Sequence, residues 1–229
     1  MSKKIVLLNF LLFFVSSLFS QSGIVEYKVD YVRNENYNDF AKKLEREMSL
    51  MSFQLSYTGT ESYYKKLPNV PVDELTAKMA TVAARSYENW YQNPKTKIAS
   101  FNRDIAGTTY LVTFENQMND WHLSNETKKI EDYVCYKATK KEYNTRTDSY
   151  FTTIAWYTPE IPFPYGPSGY GGLPGLILEL KYKAAIITAT HIILNPDKKI
   201  RYPKPLQNHI IDSKQMVKIM RQNRKVTPD

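Results

Sequence analysis

The sequence predicts a mainly β domain, a single curved antiparallel sheet with a few amphipathic helices, including one at the C-terminus. Three observations predict it. Roughly nine or ten short segments alternate apolar and polar residues, the period of a half-buried strand. Polar turns separate these segments and no strand–helix–strand alternation appears, which disfavours a doubly wound parallel sheet. The chain also carries 18 Tyr, 10 Phe and 3 Trp in 229 residues, enough ring surface to hold a core without a disulfide, since Cys135 is the sole cysteine.

The chain opens with a secretion leader. Lys3 and Lys4 precede an apolar run from Ile5 to Val15, broken only by Asn9, and Ser16 to Ser20 closes it with small polar residues. That run is about 11 residues long, where a membrane span takes roughly 20. A cleaved signal peptide over residues 1–20 is therefore favoured over a permanent tether. The cut falls after Ser20, or after Ser22 with Ser20 three positions back. Residues 21–229 then form one domain, in the periplasm or secreted. No later stretch is long enough to cross a bilayer; Ala184 to Leu194 is short and contains His191.

Within the domain, Val25, Tyr27, Val29 and Tyr31 share one face of a first strand, with Glu26, Lys28 and Asp30 on the other. Asn38 to Leu50 reads as a helix capped by Asn38 or Asp39, with Phe40, Leu44 and Met48 as its apolar stripe. Phe53, Leu55 and Tyr57 mark a second strand, paired across Tyr57–Thr60 with Glu61 to Leu67. Pro71 to Tyr87 reads as a surface helix, or an insertion that becomes helical, with Asp73 as cap and Leu75, Met79 and Val82 at helical spacing.

Strand signals resume at Trp90-Tyr91 and Ile98 to Asn102 around an Asn93-Pro94 turn. They continue at Tyr110 to Phe114, Trp121 to Leu123, Tyr133 to Thr139, Tyr150 to Tyr157, Gly175 to Tyr182 and Ile186 to Leu194. Asp212 or Ser213 then caps a last helix with Met216, Val217, Ile219 and Met220 as its stripe.

The most distinctive stretch lies between the last two hairpins. Pro159, Pro162, Pro164 and Pro167 forbid ladder pairing, so the chain leaves the sheet after Tyr157. Leu173-Pro174-Gly175-Leu176 has the residues of a type II turn, Pro at the second position and Gly at the third. Trp156, Tyr157, Pro162, Tyr165, Tyr170, Gly172, Leu173, Pro174, Gly175 and Leu176 are the candidate binding residues, because aromatic faces with hydroxyl tips suit an amphipathic ligand. The plainer alternative is that Trp156 fills the core and the prolines lock a crossover.

This loop resembles the signature of the GLPGLI family of exported proteins of the Bacteroidota, whose hexapeptide stands here at Gly172 to Ile177. Gly23 to Tyr27 is similar to the family's first strand. Trp121, Thr127 to Ile130 and Tyr133 to Ala138 resemble its central stretch. Ala155 to Pro162 with Gly166-Pro167 fits its loop, and Leu194-Asn195 with Lys204-Pro205 its closing strand and tail. The Pro71 to Tyr87 insertion departs from the family's spacing. The resemblance implies a half-barrel-like sheet similar to periplasmic lipoprotein-carrier folds, and a companion role beside outer-membrane transport systems. It implies no reaction.

The residues themselves disclose no catalytic constellation. Gly166 to Gly175 lacks the Gly-Lys-Ser/Thr ending of a phosphate loop and runs into a strand. No G-x-S-x-G elbow occurs, and Ser168 between Pro167 and Gly169 has no helix behind it. His122, His191 and His209 form no H-x-x-x-H or C-x-x-C pattern, so no metal or other cofactor is expected. Cys135, with Met48, Met51 or a His, is the one soft-metal possibility, against the commoner role of a mid-strand core thiol. Glu160 and Glu179 flank the signature and would serve an envelope hydrolase or isomerase; against that stand a solvated loop charge and a structural anchor.

Removing Lys3 and Lys4 with the leader lowers the net charge from +8 to +6. Lys214, Lys218, Arg221, Arg224 and Lys225 concentrate it in the C-terminal helix, which favours an anionic membrane surface, although a solvated helix face explains the same charges. Nucleic acid is disfavoured for an exported chain without a recognition motif. The expected function is a non-enzymatic envelope binding or carrier module, taking an apolar ligand or a segment of an envelope protein.

Overall fold

The fold is described from a computed structural model over residues 22–33, 35, 37–144 and 147–224. The leader through Gln21, with the cut after Ser20, and Lys225 lie outside the described residues, whereas the alternative cut after Ser22 falls between two described ones. In chain order the elements are β1 (Gly23–Tyr31), α1 (Asp39–Ser49), β2 (Ser52–Tyr57), β3 (Ser62–Lys66), α2 (Glu74–Ala83), β4 (Trp90–Asn93), β5 (Ile98–Ile105) and β6 (Thr108–Phe114). There follow β7 (His122–Ile130), β8 (Tyr133–Asn144), β9 (Ser149–Thr158), β10 (Leu176–Tyr182), β11 (Ala185–Leu194), β12 (Ile210–Asp212) and α3 (Ser213–Arg224).

All twelve strands join one open sheet in the order β12-β6-β5-β4-β3-β2-β1-β11-β10-β9-β8-β7. The first strand lies inside the sheet, between β2 and the late strand β11. From that pair, hairpins run outward in both directions, every pairing antiparallel except the short parallel contact of β12 with β6.

Chain geometry requires this sheet to curl. Between β6 and β7 lie ten strand-to-strand steps, about 48 Å if laid flat at about 4.8 Å each. Yet the chain passes from Phe114 to His122 in only eight residue-to-residue steps, a reach of at most about 28 Å. The outer strands must therefore bend toward each other. Register shifts at Glu26/Tyr27, Ile177/Glu179 and Leu123/Thr127 accompany the bend, as bulges do.

The inner face carries the core. Val25, Tyr27 and Val29 of β1 are fully buried, as are Phe53, Leu55 and Tyr57 of β2 and Ile187 and Ala189 of β11. Tyr64 stacks on Phe53 with centroids 5.3 Å apart and meets Tyr27 edge-on at 6.1 Å. These are the faces that the period-two pattern assigns inward.

Helix α1 starts at Asn38, whose side chain accepts from the Ala41 N–H at 2.9 Å. Its stripe is rotated from the expected one: Phe40 is exposed, while Ala41, Glu47 and Met48 are buried. Pro71 to Tyr87 does form a helix, α2, with Asp73 accepting from the Thr76 N–H at 2.7 Å. Here too the stripe shifts by one position. Leu75, Met79 and Val82 face outward and Thr76, Ala80 and Ala84 inward, because close packing on α1 admits small side chains and excludes large ones. Glu47 ties the insertion down by accepting from the Val72 and Asp73 N–H groups at 2.9 and 2.7 Å.

Asp212 caps α3 reciprocally with Gln215, a capping box. The strand β12 immediately before it lacks a sequence signal, since three residues are too few to show a period. Among the described residues, no helix is long and apolar enough to cross a membrane.

Candidate functional site

The signature loop leaves the sheet at Pro159 and folds back over its inner face. Without ladder bonds, its backbone is satisfied locally and by the strands. The Leu176 N–H donates to the Ile161 carbonyl at 3.0 Å, Ile177 N–H to Tyr165 at 2.9 Å, and Gly172 N–H to Pro164 at 2.9 Å. Gln92 of β4 binds the loop at two points: its Oε1 accepts from the Gly166 N–H at 3.3 Å, and its Nε2 donates to the Tyr170 carbonyl at 2.7 Å. Trp121 donates its indole N–H to the Gly171 carbonyl at 2.9 Å.

The turn at Leu173–Leu176 differs from the expected type II form. The Gly175 N–H donates to the Leu173 carbonyl at 2.8 Å, closing a three-residue γ-turn about Pro174. Glycine is required at Gly172 for two reasons: its φ is +81°, and a Cβ there would fall on the Met118 carbonyl.

The ten candidate residues separate into three groups. Tyr165 and Tyr170 are fully buried, with Tyr157, Leu173, Gly175 and Leu176 beside them in the interior. Their rings face the core instead of opening on a groove, because the prolines that take the loop out of the ladder also turn it back across the curled sheet. The Tyr165 hydroxyl donates to the Thr58 carbonyl at 3.1 Å, and the Tyr170 hydroxyl to Glu142 at 2.8 Å. Pro162, Gly172 and Pro174 lie at the surface. Trp156 is half-buried on the outer face, where the Lys128 ammonium stands 4.6 Å from its ring centroid.

Of the residues considered for catalysis or metal binding, Glu160 and Glu179 lie outside the core, while Met48, Met51 and Ser168 are buried in it. Glu179 pairs with Lys128 at 2.5 Å, and exposed Glu160 accepts from the Val134 N–H at 3.0 Å. Cys135 is fully buried, and burial pushes its thiol up to about 11. His122, His191 and His209 are all exposed, and the described residues contain no group of three or more His, Cys, Asp or Glu able to hold a metal.

Open space is found elsewhere. A cleft of about 620 Å³ runs between α3 and the end of β6, with Phe114, Met216 and Val217 as its apolar walls. Lys214, Lys218 and Arg221 rim it, and none makes a salt bridge among the described residues. Phe114 continues into the core through Phe101 and Trp90, with centroids 5.2 and 5.1 Å away. The helical charge pattern disclosed the rim. The cleft itself depends on β12 docking beside β6, for which the sequence offers no sign.

Residues 140–179, which include the whole signature loop, match a family described as "Protein of unknown function (Porph_ging)", in keeping with the GLPGLI resemblance. No curated protein matches the chain. Its fold is similar to that of PNGF-II, solved in space groups C2 and P21: each has a TM-score of 0.55 at 16% identity over 90% of this chain. The chain spans 34% of the length of PNGF-II. At that identity the likeness concerns the fold alone.

Proposed function

We propose that this chain is an exported cell-envelope protein, periplasmic or secreted, that binds an anionic amphiphile without transforming it. The single observation that carries this reading is the α3 cleft: an apolar floor of Phe114, Met216 and Val217 under Lys214, Lys218 and Arg221, cations without a salt bridge among the described residues. Its volume of about 620 Å³ falls within the 300–1,000 Å³ common for ligand sites. An acyl chain suits the floor and an acidic headgroup the rim. Three cations near an anionic surface contribute on the order of 3 kcal/mol together, enough to select acidic over zwitterionic lipid. The signature loop serves as the scaffold that fills the sheet's interior, and a place beside outer-membrane transport accords with the family resemblance.

The test uses residues 21–229 with vesicles of phosphatidylglycerol or phosphatidylcholine in a sedimentation assay. Binding to the acidic vesicles alone is expected, with a loss of more than tenfold in the Lys218→Glu/Arg221→Glu variant. Binding to neither vesicle, or equal binding to both, would overturn the proposal. Retention of full affinity by the variant would remove the cleft as the site.

A further inference from the structure

A second feature, on the inner face, is independent of the α3 cleft. Strand β8 alternates Tyr136, Ala138, Lys140 and Glu142 toward the interior, since Ala138 opposes buried Ala155 and Lys140 opposes buried Thr153. A lysine thus occupies a core position. Lys140 is 4% exposed, and its ammonium has no hydrogen-bond partner among the described residues. It lies 5.8 Å from the centroid of the Trp121 ring.

A second cation converges on the same place. Arg85, just past the end of α2, sets its guanidinium 5.1 Å from the Tyr170 ring centroid and 5.2 Å from that of Tyr182. Its Nη1 donates to the Tyr170 hydroxyl at 3.4 Å, while its Nε is buried without a partner among the described residues. One carboxylate answers the two cations. Glu142 accepts from the Tyr170 hydroxyl and from Thr153 through the same oxygen, Oε2. Asp120 is near enough to act on Lys140 electrostatically, yet it is exposed and makes no ion pair with it.

We propose that Lys140 and Arg85 form a binding site for the carboxylate of an organic ligand whose body lies against Trp121 and Tyr182. A buried ammonium without partners is costly, and an incoming oxyanion removes that cost. Glu142 is hydrogen-bonded into the site and exposed Asp120 also acts on Lys140, so the fixed charges nearly balance and a monoanion is better matched than a doubly charged phosphate. Arg85, Trp121, Glu142 and Tyr182 are each only partly buried, so the site borders the surface. Burial lowers the Lys140 pKa from its ordinary value, against the opposing pull of Glu142 and Asp120; a bound carboxylate would raise it again. The insertion that departs from the family's spacing acquires a role here, since it delivers Arg85.

The probe is sodium acetate, with inorganic phosphate and sodium chloride at matched ionic strength as comparisons. Thermal unfolding of residues 21–229 reads binding through the stabilisation that any native-state ligand confers, and the Cε resonance of Lys140 reads the contact directly. Acetate is expected to raise the midpoint of the wild type in a saturable way and to move that resonance. Lys140→Met should weaken acetate on the order of tenfold or more, the scale of a lost charged hydrogen bond. Arg85→Lys, which keeps the charge, guards against mere loss of fold and should retain a saturable response. An equal acetate response in wild type and Lys140→Met would overturn the site. So would phosphate outcompeting acetate, or acetate acting no differently from chloride.

Discussion

The side chain of Gln92 clasps Tyr170 by its backbone, donating Nε2 to the Tyr170 carbonyl at 2.7 Å. The other end of the same amide accepts from Gly166 at 3.3 Å and from the Ser62 hydroxyl at 2.8 Å. One buried side chain on β4 therefore replaces the ladder bonds that the prolines deny to the signature loop. Gln92→Leu, similar in size but without polar atoms, leaves the Tyr170 carbonyl, the Gly166 N–H and the buried Ser62 hydroxyl without this partner. Each such orphan costs about 1–3 kcal/mol, so urea unfolding should show a loss of about 2–5 kcal/mol. A loss below about 1 kcal/mol would mean that water takes over these partners.

Glycine at Gly172 is set by backbone shape and by the Met118 carbonyl pressed against it. Gly172→Ala should destabilise by about 3 kcal/mol or more, combining left-handed strain with a backbone collision. Gly59 provides the contrast, since nothing lies within 4 Å of a Cβ there. Gly59→Ala should change stability by no more than about 0.5 kcal/mol. Denaturation of the two variants side by side measures the difference.

The Cys135 thiol predicts a dependence on alkaline pH. Burial raises its folded pKa to about 11, above the unfolded value near 8.5. The protonated form is therefore favoured by folding. This contribution is complete below about pH 8.5 and is lost as pH rises toward about 11. Urea midpoints across pH 8 to 11 should fall less steeply for Cys135→Ala than for the wild type, and an aromatic disulfide reagent at pH 8 should label the thiol only after unfolding. Rapid labelling of the native chain would contradict its burial.

Much of the sheet was legible in the sequence. Val25, Tyr27 and Val29, or Phe53, Leu55 and Tyr57, alternate so regularly that strand and inner face follow together. Helix faces were less legible. Leu75, Met79 and Val82 have the spacing of a buried stripe, but Thr76 and Ala80 take the interface, since periodicity weighs hydrophobicity and close packing weighs size. The direction of Tyr165 and Tyr170 was hidden because a loop without a period discloses no face. Lys140 carries one faint mark: it stands two residues after Ala138, although the expected strand ends at Thr139 and its expected core thiol, Cys135, lies on the other face. Gln92 carries the same mark, two residues after Trp90. A polar residue in phase with a buried face is a signal that composition and motif searches pass over. Arg85 left none, because only the fold brings the insertion to Tyr170.

The binding of an anionic amphiphile in the α3 cleft is tested most directly by placing an indole there. Val217→Trp puts a fluorophore on the cleft wall without altering Lys214, Lys218 or Arg221. Phosphatidylglycerol brominated on its acyl chains should then quench the added emission, relative to the wild type with Trp90, Trp121 and Trp156 alone, while brominated phosphatidylcholine should not. Unquenched emission at phosphatidylglycerol concentrations that sediment the protein would show that no acyl chain enters the cleft, and would contradict the proposed function.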